Sequence, residues 1–173
     1  MTCEYCSDFS KMDRDYLSWR KTSANTEPVR YDNGIYVYVD LMDDVAQSLV
    51  DYQVENDIPN PIVYTDFHVS LIATPSPISW ISRQSLNEVC EVLALEKWNF
   101  GKDKFCLVLT LRNQYLEKRH GHALIVGATH DYSSYKPHIA LSYDIPEDFD
   151  TTRMALPSFP IVLKNERTRP FGH

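Results

Sequence analysis

Two segments of the same shape decide how this chain is read: Phe67-His68-Val69-Ser70-Leu71 and Pro137-His138-Ile139-Ala140-Leu141. In a β-strand, positions i and i+2 share a face. His68 and Ser70 therefore project together, as do His138, Ala140 and Ser142. Phe67, Val69, Leu71, Ile139 and Leu141 supply the opposite, apolar face. Two such strands side by side in a concave sheet would carry two imidazoles to one phosphate. Phosphodiester cleavage needs a base for the attacking oxygen and an acid for the leaving one, and histidine serves as either near neutrality. A hydroxyl at i+2 donates to the non-bridging phosphate oxygens, where charge has to be stabilised. This chemistry calls for no metal and no cofactor. A lone H-x-S is more often a strand histidine with a structural hydrogen bond. The duplication lifts the chemical reading above that one.

The elements around these segments follow from periodicity. Residues 34–41 (GIYVYVDL) alternate β-branched and aromatic residues after the turn residues Asp32, Asn33 and Gly34, which predicts a strand with Tyr36, Tyr38 and Asp40 on one face. Asp43 and Asp44 cap a predicted helix over 44–56. Pro61 opens a strand over 62–73, and Pro75 and Pro77 end it. Residues 88–98 and 105–111 read as a hairpin around Gly101, although the first arm also fits a helix. A helix over 113–126 follows, with Asn113 as cap and Leu116, Ala123 and Leu124 on one face. Strands over 138–143 and 160–166 close the chain. Helices alternate with groups of strands, which predicts an α+β fold with mostly antiparallel sheet. Residues 1–33 read as a polar, acidic extension with a short helix around 13–21. Residues 34–173 read as one domain.

Charge narrows the ligand. The chain of 173 residues carries a net charge of −7, and its acidic excess is local. Residues 1–60 hold 12 acids and 5 bases, and residues 61–173 hold 12 of each. Long nucleic acids are held by phosphate neutralisation, which an acidic chain supplies poorly. A small anionic ligand in a pocket remains, with Lys164, Arg167 and Arg169 as nearby bases. No apolar run approaches the ~18 residues of a membrane helix, and the first residues lack a signal-peptide core. The expected compartment is the cytoplasm, with no membrane partner. Cys3 and Cys6 form a C-x-x-C without the second pair a structural zinc site needs. Cys90 and Cys106 read as core thiols.

The paired histidine strands resemble the 2H phosphoesterase superfamily, marked by two H-x-[ST] motifs in two pseudo-symmetric lobes. The resemblance covers about 34–167 and is nearest to the phage anti-CBASS cyclic-oligonucleotide phosphodiesterases. It is carried by 34–41, 67–71, the hairpin tip 98–100, Arg119-His120, 127–132 and 135–143, where YKPHI-x-LSY is the most specific string. It implies a LigT-like fold of two antiparallel lobes flanked by helices. It also implies hydrolysis of the cyclic di- and trinucleotides that bacterial defence uses as alarm signals, in the cytoplasm of an infected host. His68 and His138 would be the acid and base, and Ser70 the phosphate-binding hydroxyl. Tyr36 and Trp98 would stack on bases. Glu166 would meet a nucleobase edge or the catalytic network.

One residue departs from the pattern. Ala140 stands where the second motif wants Thr or Ser, which removes a hydrogen bond to phosphate worth roughly 1.5–3 kcal/mol, about 10–150-fold in rate. Three explanations fit: a slower enzyme, compensation by Ser142, or a replacement that traps ligand. Two rival functions fit as well, a non-catalytic nucleotide sponge and an RNA-end or 2′,3′-cyclic nucleotide phosphodiesterase. His120 and His122 read as packing residues, because H-x-H on a helix sets its rings about 200° apart. His130-Asp131 sits where it could orient the second motif.

Overall fold

The structure, a computed structural model, describes residues 27–99, 101 and 104–172. The C-x-x-C, the helix expected around 13–21 and Phe100 at the hairpin tip lie outside the described residues. In chain order the elements are β1 (Val29–Tyr31), β2 (Ile35–Leu41), α1 (Asp43–Glu55), a single 3-10 turn (Tyr64–Asp66), β3 (His68–Thr74), β4 (Ile78–Trp80), β5 (Glu88–Asn99), β6 (Phe105–Arg112), α2 (Gln114–Ile125), β7 (His138–Ile145) and β8 (Ile161–Pro170). Six strands close in the cyclic order β2-β3-β7-β6-β5-β8, every neighbouring pair antiparallel. β1 and β4 form a separate two-stranded sheet.

The closed sheet divides into two lobes of three strands. β8-β2-β3 and β5-β6-β7 are each paired over long stretches. The junctions between them are thin. β3 meets β7 at Val69 and Ile139, and β5 meets β8 over Glu88–Cys90. The motif strands thus sit at a seam between lobes. Both carry the same burial sequence over their first five residues: a half-buried histidine, a buried aliphatic, a half-buried small residue, then two buried residues.

Strand alternation builds the core. Ile35, Val37, Val39 and Leu41 of β2 are all buried, and Tyr36, Tyr38 and Asp40 are half-buried on the other face. Burying each aliphatic side chain contributes roughly 1.5–3 kcal/mol. Val45, Leu49 and Tyr52 of α1 and Leu116 and Ala123 of α2 join the same core. Asn113 caps α2, its side chain accepting from the Leu116 amide at 3.0 Å and donating to the Val89 carbonyl at 3.0 Å.

Several expectations need correction. The strand expected over 62–73 starts at His68, because the segment after Pro61 instead makes one bridge to Ser142 and a 3-10 turn. The last strand runs on to Pro170. The first hairpin arm is a strand, which removes its helical alternative. Met42 takes the cap position of α1, with Asp43 and Asp44 in the first turn. Leu124 is 41% exposed and turns away from the core. No helix among the described residues is long and apolar enough to cross a membrane.

Candidate active site

Both histidines are set by one local device. His68 donates its Nδ1–H to the Asp66 carbonyl at 2.7 Å, and His138 donates its own to the Lys136 carbonyl at 2.8 Å. Each ring is held by the carbonyl two residues upstream. A carbonyl only accepts, so each Nδ1 carries a proton and Nε2 is the ring nitrogen not used by the tether. Extending the antiparallel Val69–Ile139 pairing by one residue each way places His68 across from Ala140 and Ser70 across from His138. Each histidine therefore faces the small residue of the other motif.

The surroundings of the two rings differ. The Tyr36 hydroxyl lies 2.8 Å from His68 Nε2 and 2.5 Å from Ser70 Oγ. The Tyr36 ring stacks on Tyr38 at 5.3 Å, and the Arg169 guanidinium sits 4.6 Å from its centroid. Burial pushes the Tyr36 phenol up, against the lowering pull of the Ser70 bond, so it stays protonated near neutrality. His138 packs against the Trp98 ring at 4.4 Å, and the indole N–H donates to Glu96 at 2.6 Å. Burial holds the His138 imidazole below its ordinary value, against the raising bond to Lys136 and with further lowering from His68.

A cleft of about 800 Å³ is lined by Tyr36, Ser70, Trp98 and His138 among others and walled by residues 130–136. His68 is not in its lining and meets it through the Tyr36 hydroxyl. The wall is tied to the first motif. Tyr135 donates to the Ser70 carbonyl at 2.9 Å and stacks flat on His120 at 4.2 Å. His120 lies 4.6 Å from His130 and donates to the Leu71 carbonyl at 2.8 Å. Lys97 and Lys136 add positive charge at the rim.

His68, Ser70, His138, Tyr36 and Trp98 are thus brought together, with Ala140 on the seam beside them. Two residues are not. Ser142 is fully buried, its hydroxyl held between the Pro59 and Asn60 carbonyls at 2.7 and 3.0 Å. A bulge at Leu141 shifts the β6–β7 register and turns Ser142 away from the His138 face, which removes it as the compensating hydroxyl. Glu166 is 1% exposed and lies away from the cleft. It pairs with Arg119 through two bonds of 2.6 and 2.7 Å and also accepts from Tyr115, Trp80 and the Arg83 amide. Burial pushes its carboxyl up, but Arg119, Tyr115 and the Arg83 amide outweigh that and hold it below the ordinary range. Of the late bases, Lys164 pairs with Asp43 and Arg167 with Asp40, so Arg169 is the one at the site. Sequence reasoning missed Tyr135, and His120 as its support. The string Tyr135-Lys136-Pro137-His138 was the available signal. Among the described residues no three His, Cys, Asp or Glu side chains gather as a metal site.

Two histidine strands meeting at the seam of two antiparallel lobes define a protein of the LigT-like 2H phosphoesterase fold. The crystal structure of E. coli LigT complexed with 3′-AMP matches over 82% of this chain and 87% of that one, with a TM-score of 0.52 and 14% identity, a likeness of fold. Within that fold the chain belongs to the anti-CBASS protein Acb1 family, whose model matches residues 33–172. It is 30% identical to the anti-CBASS protein Acb1 of Salmonella phage S16 over 141 residues, 81% of this chain and 90% of that protein. The protein of Enterobacteria phage T4 is equally similar over the same length. That of Yersinia phage phiR1-RT is 36% identical over 115 residues, 65% of this chain and 72% of its own length.

Proposed function

We propose that the chain is a metal-independent phosphodiesterase that opens the cyclic di- and trinucleotide signals of CBASS immunity in the cytoplasm of an infected bacterium. The observation that carries this is the pair of histidines on the two seam strands, each tethered through Nδ1 to the carbonyl two residues upstream, with His138 lining a cleft that holds aromatic rings. The relatives' description as anti-CBASS proteins supports the biological setting. The catalytic body is residues 34–173, with 1–33 as an extension to it.

The reaction balances without a metal. His138, held neutral by burial, takes the proton of a ribose 2′-OH. That oxygen attacks the adjacent 3′–5′ phosphate. The P–O5′ bond breaks as protonated His68 gives its Nε2 proton to the leaving oxygen. The product is a linear chain with a 5′-OH and a 2′,3′-cyclic phosphate, which water then opens. Ser70 donates to a non-bridging oxygen. Trp98 and the Tyr36 ring carry the bases, a sequence-tolerant way to hold a compact cyclic ligand.

Incubation with cyclic trinucleotide in excess EDTA tests the reading. The first product is an isomer of the substrate and shows as a change of chromatographic retention. The second carries one added water by mass. Intact substrate, with His68→Ala behaving identically, refutes the proposal. The missing hydroxyl at Ala140 favours the sponge as second reading, and tight binding with full recovery of intact ligand would establish it. Faster turnover of linear 2′,3′-cyclic ends than of rings would establish the RNA-end enzyme instead.

A further inference from the structure

The antiparallel register gives each histidine a small residue of the opposite motif as its neighbour across the seam. His138 faces Ser70, which has a hydroxyl. His68 faces Ala140, which has none, and Ser142 is turned into the core. The hydroxyl recorded on His68 Nε2 is that of Tyr36, reaching over from β2, and it also touches Ser70 Oγ. Resting on the phosphodiesterase reading above, we propose that the Tyr36 hydroxyl gives the His68 half of the site the hydrogen-bond donor that Ala140 lacks.

A phenol has one proton and two acceptor directions. With His68 protonated, the Tyr36 oxygen accepts the Nε2–H and its own proton goes to Ser70 in the empty site. With phosphate bound, the His68 Nε2–H turns to the leaving oxygen, and the phenol proton turns from Ser70 to a non-bridging oxygen beside the one held by Ser70. Burial keeps the phenol protonated and so keeps the donor available. Tyr38 and Arg169 pack on its ring and fix its direction. The ring and the hydroxyl thus have separate roles, and Tyr36→Phe separates them.

The experiment is steady-state hydrolysis of cyclic trinucleotide by the intact protein, Tyr36→Phe, Ala140→Thr, the double variant and His68→Ala, with thermal melts to confirm folding. Tyr36→Phe is expected to lower kcat roughly 10–150-fold, the size of one lost bond to a charged group. KM should change little, because the stacking ring remains. In the Ala140→Thr background the same Phe substitution should cost much less. Unchanged kcat, a rise in KM alone, or equal losses in both backgrounds would overturn the inference while leaving the phosphodiesterase reading standing. So would a faster Tyr36→Phe, which would make the hydroxyl a competitor of phosphate. An intact protein as inert as His68→Ala overturns that reading and this inference together.

Discussion

Replacing Glu166 by Gln keeps the shape of the side chain and removes one charge from a fully buried site. The carboxylate takes two bonds from Arg119 and one each from Tyr115, Trp80 and the Arg83 amide. Glutamine keeps one acceptor oxygen and turns an amide N–H₂ toward the other donors. Arg119, 3% exposed and stacked 4.2 Å over Trp80, would retain its charge without a counter-ion. Breaking a buried pair from one side costs about 3–5 kcal/mol. In a chain of 173 residues each kcal/mol lowers Tm by ~2–4 °C, so the expected fall is ~6–20 °C.

The sign with pH is fixed by the depressed Glu166 carboxyl. Its stabilisation is complete above the unfolded value of about 4.3 and is lost as pH falls through the lower folded value. Melts of Glu166→Gln and the parent should therefore converge in acid. A double variant, Arg119→Met with Glu166→Met, should be more stable than either single change, because it strands no charge. A Tm within ~2 °C of the parent, together with lost hydrolysis, would refute this account. Glu166 would then act on ligand, as the family resemblance implied.

Three further outcomes follow from contacts described above. Trp98→Ala should raise the His138 value toward that of free imidazole, because burial is the main cause of its depression, and the acid limb of kcat/KM should move to higher pH. A limb that stays or moves down contradicts it. Gly34 has φ +84°, and a Cβ there would strike the Thr74 carbonyl and Pro75, so Gly34→Ala should cost at least ~1–2 kcal/mol in urea unfolding. The Cys90 thiol is buried, and burial, with Glu88 adding, pushes it up to about 12. Alkylation of the Cys90 peptide at mildly alkaline pH should follow global unfolding, and labelling of the native fold would refute it.

What could be read from the sequence was whatever a regular period encodes. The strand alternation of β2, the hairpin, the Asn113 cap and the two histidine strands all obey rules of spacing. Bulges break those rules. One at Leu141 turned Ser142 from the cleft into the core. Another, in β8 where it pairs with β2, puts Glu166 rather than Asn165 on the buried face with Leu163. An inserted residue reverses every later side chain, and no local composition announces it. The partner of Glu166 lies 47 positions away on α2, a distance at which only the fold pairs charges. β1 and β4, at three residues each, are too short to show a period.

The bulges also explain how the site is held. Each motif strand has one just after its small residue, at Leu71 and at Leu141. A bulge frees a backbone carbonyl that must find a donor when buried. The Leu141 carbonyl takes the Ile62 amide at 2.9 Å and the Gln53 side chain of α1 at 2.8 Å, and His120 of α2 donates to the Leu71 carbonyl at 2.8 Å. The helix of each lobe thus pins the motif strand of the other. The scaffold is two-fold in strands, bulges, helix props and histidine tethers. Its chemistry is not two-fold, because His138 lies under an indole while His68 meets a phenol and faces an alanine. Equivalent motifs cannot by themselves say which histidine is acid and which is base. In the proposed reaction that difference would come from what packs on each ring, so it should move with Trp98 and Tyr36 rather than with the H-x-S and H-x-A strings.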